Sequence, residues 1–124
     1  KRKKIYAVCR GHQLVNILHG CDFHQDLLME GYKQHPYSHK LSIGDISSVA
    51  YKFFNNKNVI STHHQGLSYS NLSATSYYED IVESTESYNI ITTQFHPEFD
   101  DDNYRFFEYL KLWSFDCQSY YKDL

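Results

Sequence analysis

Lys4-Ile5-Tyr6-Ala7-Val8-Cys9-Arg10-Gly11-His12-Gln13 is the stretch that decides the fold, because an apolar run ends on a cysteine and a helical pattern begins at the next residue. Ile5 to Val8 are apolar without strict alternation, which predicts a strand covered on both faces in a parallel sheet. After the cysteine, Leu14, Val15, Ile17 and Leu18 give a helical apolar face that stops at Gly20, a residue suited to closing a helix. A strand, a sharp turn and a helix with a nucleophilic side chain at the turn make a nucleophile elbow. The backbone of such a turn is crowded and strained, so small residues are needed two positions away on either side, and Ala7 and Gly11 meet that need. The helix directs its free N–H groups and positive dipole end at Cys9, and the expectation is a thiol biased towards thiolate.

Outward from this stretch, a chain of 124 residues is one domain at most and can bury a modest core. Twelve Lys plus Arg against fifteen Asp plus Glu leave it slightly acidic, so the basic footprint of a nucleic-acid partner is missing. Lys1-Arg2-Lys3-Lys4 is the one basic run and reads as a solvated lead-in to the strand. No apolar segment follows it that could serve as a signal-peptide core, and no run approaches membrane-spanning length. The expectation is a soluble cytoplasmic protein without a membrane partner. The three cysteines, Cys9, Cys21 and Cys117, are odd in number and lack C-x-x-C spacing, which argues for reduced thiols, with Cys21 and Cys117 acting as small hydrophobes.

Further along, Asp22 to Tyr37 reads as loop. His39 to Ile43 predicts a strand, and Asp45 is placed to cap a short helix ending at Phe53 or Phe54. Val59-Ile60-Ser61 predicts a strand that ends at Thr62-His63-His64-Gln65-Gly66. Leu72 to Tyr77 and Ile81 to Glu86 predict two more, joined tightly through Tyr78-Glu79-Asp80. Ile90 to Phe95 is the clearest β run and delivers His96-Pro97-Glu98, after which the pattern turns helical, with Phe106, Phe107, Leu110 and Trp113 on one side.

A cysteine nucleophile needs a base, and gains from a third group that holds the base in one tautomer. His96 and Glu98 can supply both: in extended backbone, residues two apart project to the same side, and Pro97 stiffens the pair. Eight histidines raise the question of metal. His35 and His39 have i, i+4 spacing, but Pro36 interrupts any helix that would align them, and no carboxylate or cysteine cluster completes a site, so neither metal nor cofactor is expected. His12 and His19 read as ordinary helix-face residues.

The ordered set VCRGHQ (8–13), STHHQ (61–65) and TQFHPEF (93–99) resembles the class I glutamine amidotransferase superfamily, and within it the γ-glutamyl hydrolase branch, peptidase family C26. The resemblance implies an α/β, flavodoxin-like three-layer sandwich with a mainly parallel sheet, and residues 1–124 as a partial catalytic domain whose N-terminal portion is absent. It implies a catalytic triad of Cys9, His96 and Glu98 acting on a γ-glutamyl amide. Arg10, through its backbone N–H, is implied in the oxyanion hole, and Gln13, His63, His64 and Gln65 in supporting the elbow and shaping the substrate pocket. Ala7 stands where such proteins commonly carry Gly, and the loop that supplies their second oxyanion donor has no counterpart in this sequence.

Three functions remain open at this point. The chain is a cysteine hydrolase of small γ-glutamyl substrates, a glutaminase module passing ammonia to a partner, or a non-catalytic remnant or binding module. A strand at its start that lacks neighbours favours a homo-oligomer or a complementing chain as partner.

Overall fold

A computed structural model describes residues 3–32, 37–63 and 65–115. In order along the chain come β1 (Ile5–Val8), α1 (Arg10–Leu18), β2 (Ser38–Lys40), α2 (Val49–Phe54), β3 (Asn58–Ile60), β4 (Ser73–Tyr78), β5 (Ile81–Glu86), β6 (Ile90–Thr93) and α3 (Tyr104–Ser114). Two 3-10 turns, Pro97–Phe99 and Asp101–Asn103, lie between β6 and α3.

The main sheet has the order β1-β6-β5-β4, and β2 and β3 form a separate pair. β1 and β6 are parallel, in register from Ile5 with Ile90 to Val8 with Thr93. β5 and β4 continue the sheet antiparallel. Parallel pairing of β1 with β6 is what brings their two ends together, although most of the chain lies between them.

Alternation along these two strands sorts the side chains onto two faces. The Tyr6 hydroxyl shares a 2.7 Å hydrogen bond with Thr93 Oγ1, and its ring meets Phe106 of α3 edge-on at 5.5 Å. Ala7, on the other face, lies under α1, so close to Gly11 that a Cβ there would sit 3.3 Å from the Ala7 Cβ. α1 and α3 therefore cover opposite faces, giving three layers. The main core lies on the α3 side, where Phe54, Val59, Phe95 and Phe106 are buried together and Tyr6, Leu41, Val49, Phe53 and Leu110 pack around them. Phe54 meets both Phe95 and Phe106 edge-to-face at 4.9 Å, contacts worth about 0.5–1.5 kcal/mol each beyond the area they bury.

Two local expectations are corrected. Ser48, not Asp45, caps α2: its Oγ accepts from Tyr51 N at 3.0 Å, because it is the residue immediately before the helix. Asp45 instead accepts from the backbone N and hydroxyl of Ser47. The Glu86 carboxylate, reaching across from β5, accepts from Val49 N at 2.9 Å and Ala50 N at 3.0 Å, so the start of α2 is tied to the sheet. The second correction concerns α1. Its apolar residues face outward, with Leu14 56% and Leu18 74% exposed, while His12, Gln13 and Asn16 are buried. The polar face goes inward because it is hydrogen-bonded there: His12 Nδ1 to Thr92 Oγ1 at 2.7 Å, Gln13 Nε2 to Gln94 Oε1 at 3.0 Å, and Ser70 Oγ to Asn16 Oδ1 at 2.6 Å. Gly20 closes the helix at φ +86, as its sequence position predicts.

Cys21 is buried, as a small hydrophobe would be, and its sulfur accepts from Asn71 N at 3.1 Å. Cys117, His35 and Pro36 lie outside the described residues. Among the described residues, no helix is long and apolar enough to cross a membrane.

Candidate active site

Cys9 joins β1 to α1 with φ 56 and ψ −108, a conformation that residues other than Gly rarely adopt. It is held there from both directions: its N donates to Thr93 O at 2.7 Å and its carbonyl accepts from Gln13 N at 3.2 Å. The first bond docks the turn on the end of β6 and the second starts α1. This is the strained strand-to-helix turn that the small residues Ala7 and Gly11 make room for, and it leaves Cys9 half-buried.

The sulfur has two donors near it. The backbone N–H of Arg10 hydrogen-bonds to it and favours thiolate, as does the charge of Arg10, while Gln94 Nε2 approaches to 3.8 Å. Burial nevertheless outweighs these effects and pushes the Cys9 thiol above its ordinary range, with the charges of Glu98 and Glu83 adding in the same direction. The thiolate bias expected from the helix dipole is thus corrected. Desolvation, which only the packing around the turn determines, is the larger effect.

His96 lies just past β6, where its N donates to Ile60 O at 2.8 Å and so joins the ends of β6 and β3. Its Nδ1 meets Glu98 Oε2 at 2.7 Å, and its ring stacks on Phe99 at 4.6 Å with an interplanar angle of 11°. A carboxylate can only accept, so Nδ1 carries the proton, and Nε2 of the neutral ring is left as the basic nitrogen. The pair forms by a route different from the expected extended backbone. Pro97–Phe99 is a 3-10 turn, and it is this tight turn that folds Glu98 back onto the ring. Cys9 and His96 follow the ends of adjacent parallel strands, and Glu98 is near enough to act on the Cys9 sulfur through its charge.

The remaining sequence candidates divide. Arg10, Gln13 and Gln65 line one cavity of about 260 Å³, walled by Leu14, Ile17 and Phe23 beside α1. His63 does not point to such a surface. Its side chain is buried, with Nδ1 2.6 Å from the Gln65 carbonyl and Nε2 3.5 Å from Glu83 Oε2. His64 lies outside the described residues. His12, read from sequence as an ordinary helix-face residue, is fully buried on Thr92, and desolvation pushes its pKa down to about 4. His19 is at the surface, bonded to the Val15 carbonyl at 2.8 Å, as expected. Among the described residues, no group of three or more His, Cys, Asp and Glu side chains is placed to hold a metal ion.

Sequence reasoning missed Gln94, Glu83 and His39. Gln94 is fully buried next to Cys9, and Glu83 is fully buried with His39 Nε2 2.8 Å from its Oε1. One signal was available for Glu83: an ionisable residue directly after Ile81-Val82, in a strand interior to the sheet.

Comparisons with known proteins bear on the fold and the family. A search of curated proteins finds no match. Among solved structures, a protein described as a GMP synthase subunit from Thermoplasma acidophilum superposes with a TM-score of 0.63 at 18% identity, covering 82% of this chain and 54% of that one. A glutamine amidotransferase from Thermotoga maritima gives a TM-score of 0.64 at 14% identity, covering 86% of this chain and 46% of that one. At such identities the likeness is one of fold, and it makes the architecture the flavodoxin-like α/β type of the glutamine amidotransferases. The chain spans about half the length of these two structures. The family model for Peptidase C26 matches residues 1–98, a span that contains the elbow, the histidine segment and the His96-Pro97-Glu98 turn, and the chain belongs to the Peptidase C26 family.

Proposed function

We propose that this chain carries the nucleophile, base and orienting carboxylate of a cysteine hydrolase that cleaves γ-glutamyl amide bonds. The observation that carries this reading is the arrangement at the ends of two neighbouring parallel strands: Cys9 in a positive-φ turn after β1, and a His96–Glu98 pair at 2.7 Å after β6. Because burial holds Cys9 as a thiol, its proton passes to His96 Nε2 as the sulfur attacks the γ-carbonyl carbon and a C–S bond forms. The Arg10 backbone N–H donates to the oxyanion that develops. Collapse of the tetrahedral species breaks the C–N bond, and the proton on His96 goes to the departing amine. Water then gives a proton to Nε2 and its oxygen to the thioester carbon. The C–S bond breaks, glutamate leaves, and the proton returns to sulfur. Glu98 keeps His96 Nδ1 protonated and stabilises the imidazolium formed in each half-reaction.

The description of one structural neighbour as a glutamine amidotransferase favours a second reading, in which the amide is glutamine itself and the ammonia serves a partner. Glutamate release from glutamine and from a panel of γ-glutamyl amines, measured for wild type and Cys9→Ala, tests both. Turnover of several amines that is lost in Cys9→Ala supports the hydrolase. Turnover confined to glutamine supports the second reading, and turnover that survives Cys9→Ala refutes both.

A further inference from the structure

Phe23 and Gln25 stand in the wall of the cavity of about 260 Å³ that Arg10, Gln13 and Gln65 line, yet neither lies in a helix or a strand that would hold it there. Between them is His24, which exchanges two backbone hydrogen bonds with Gly66: its N donates to Gly66 O at 2.9 Å and its O accepts from Gly66 N at 3.1 Å. Extended backbone at such a bridge sends alternate side chains to opposite sides. Phe23 and Gln25 accordingly lie on the exposed side, which is the cavity side, while Asp22, His24 and Asp26 are half-buried. Leu27 is buried and gives the segment an apolar anchor, packed so near Gly66 that a Cβ there would sit 3.3 Å from it.

On the inner side the His24 ring has a carboxylate at each nitrogen. Nδ1 is 3.0 Å from Glu30 Oε1, and Nε2 is 2.8 Å from Asp22 Oδ2. A carboxylate can only accept, so both contacts are hydrogen bonds only while both ring nitrogens carry protons, and the arrangement suits imidazolium. The pKa of His24 is raised accordingly, chiefly by the hydrogen bond to Glu30. Each carboxylate is itself held in place. Glu30 Oε2 accepts from Asp26 N at 3.2 Å, and Asp22 accepts from both the N and the hydroxyl of Ser68, in the segment after β3. Among the described residues, the other polar groups that face the ring are the hydroxyls of Ser68 at 3.1 Å and Tyr32 at 3.4 Å. When the ring loses one proton, a lone pair is left facing a carboxylate, and the contact on that side turns repulsive.

We propose that His24, as imidazolium, is a positioning residue for the cavity wall: by joining Glu30 to Asp22, and through Asp22 to Ser68, it pins residues 22–30 against the segment after β3, holds Phe23 and Gln25 beside Arg10 and Gln13, and releases them when it loses a proton. That this wall meets substrate rests on the proposed function, whereas the pin itself does not. The hold is complete at pH below the ordinary imidazole value and is lost as pH rises through the raised one.

Amide hydrogen exchange at His24 and Gly66, followed by NMR and corrected for the intrinsic rate at each pH, reads the pin without substrate. In wild type the protection of these two amides should fall about 3- to 10-fold between about pH 5.5 and about pH 8.5, a modest change because the Glu30 side chain is 42% exposed. The amides of Ser42 and Tyr77, paired in a second isolated bridge, should stay level. Glu30→Gln should move the midpoint of the fall to lower pH, and His24→Gln should abolish the fall and leave protection low throughout. Glu30 is at the surface, so its variant decides the matter even where His24→Gln does not fold. In γ-glutamyl hydrolysis at about pH 6, where His24 is charged, His24→Gln should raise KM about 3- to 10-fold with kcat little changed, because Cys9, His96 and Glu98 are untouched. A fall in protection shared equally by Ser42 and Tyr77, a midpoint unmoved in Glu30→Gln, or a wild-type KM in folded His24→Gln overturns the proposal. Where wild type hydrolyses no γ-glutamyl amide, the proposed function fails, and exchange still decides whether His24 pins the wall.

Discussion

Replacing Cys9 by Gly, compared with replacing it by Ala, isolates the strain of the elbow from its chemistry. Both variants lack the sulfur and should lose hydrolysis. They differ in whether a Cβ must be carried at φ 56 and ψ −108. Holding a residue other than Gly in such a sparsely populated region costs about 1–3 kcal/mol. Gly is relieved of that cost but loses more backbone freedom on folding, which offsets about 0.4–1 kcal/mol. The difference leaves Cys9→Gly more stable than Cys9→Ala by roughly 0.5–2 kcal/mol, or about 2–8 °C in Tm for a domain of this size. The expected order is unusual, since Gly for Ala inside regular structure normally destabilises. Urea denaturation and thermal melting of the two variants, run side by side at one pH, measure it. A Cys9→Gly variant that unfolds at or below the midpoint of Cys9→Ala would refute the claim that the docking of Cys9 on Thr93 holds the turn against its own backbone preference.

The other predictions concern the supports around the site. His12 is buried with a pKa of about 4 against an ordinary 6.5, so between these values the unfolded chain binds a proton that the folded chain does not. Stability should therefore fall as pH drops from 6.5 to 4, by roughly 3 kcal/mol from this residue. His24, whose pKa is raised chiefly by its hydrogen bond to Glu30, acts in the opposite sense, so the contribution of His12 is read as the difference in urea midpoints between wild type and His12→Gln across this range, and equal pH profiles would count against it. Glu86→Ala should cost about 1–2 kcal/mol by removing both acceptors from the first amides of α2. Hydrogen exchange at Val49 and Ala50 should speed up in this variant, and unchanged protection of those two amides would count against the cap.

Residues 4–13 and 96–98 hold the groups of the candidate site in local order, and this is why it was legible in them. A nucleophile turn needs small neighbours two residues away, and a histidine oriented by a carboxylate can take both groups from one short segment. Those requirements act over a few bonds, so Ala7, Cys9, Gly11, His96 and Glu98 could be read before any fold was known. The local geometry between His96 and Glu98 was less legible, since an extended segment and a 3-10 turn can each bring the two side chains together. Only the turn at Pro97–Phe99 is present.

Other features depended on which surfaces meet. The apolar periodicity of α1 establishes that the helix has two unlike faces, but not which one the sheet receives. Thr92, Gln94 and Ser70 decide that by offering hydrogen bonds to its polar side. Likewise, a dipole and a free N–H end can be inferred for Cys9 from the pattern of residues, whereas the desolvation that raises its pKa depends on the atoms packed around it. Glu83 is the clearest case. It lies 44 residues from His39, and His63 reaches it from yet another segment, so no local rule connects them. Sequence determined which residues could do chemistry, because reactivity and backbone permissiveness belong to residue types and short spacings. Tertiary structure alone decided how those residues are oriented and charged, because burial and hydrogen-bond direction arise where distant segments pack.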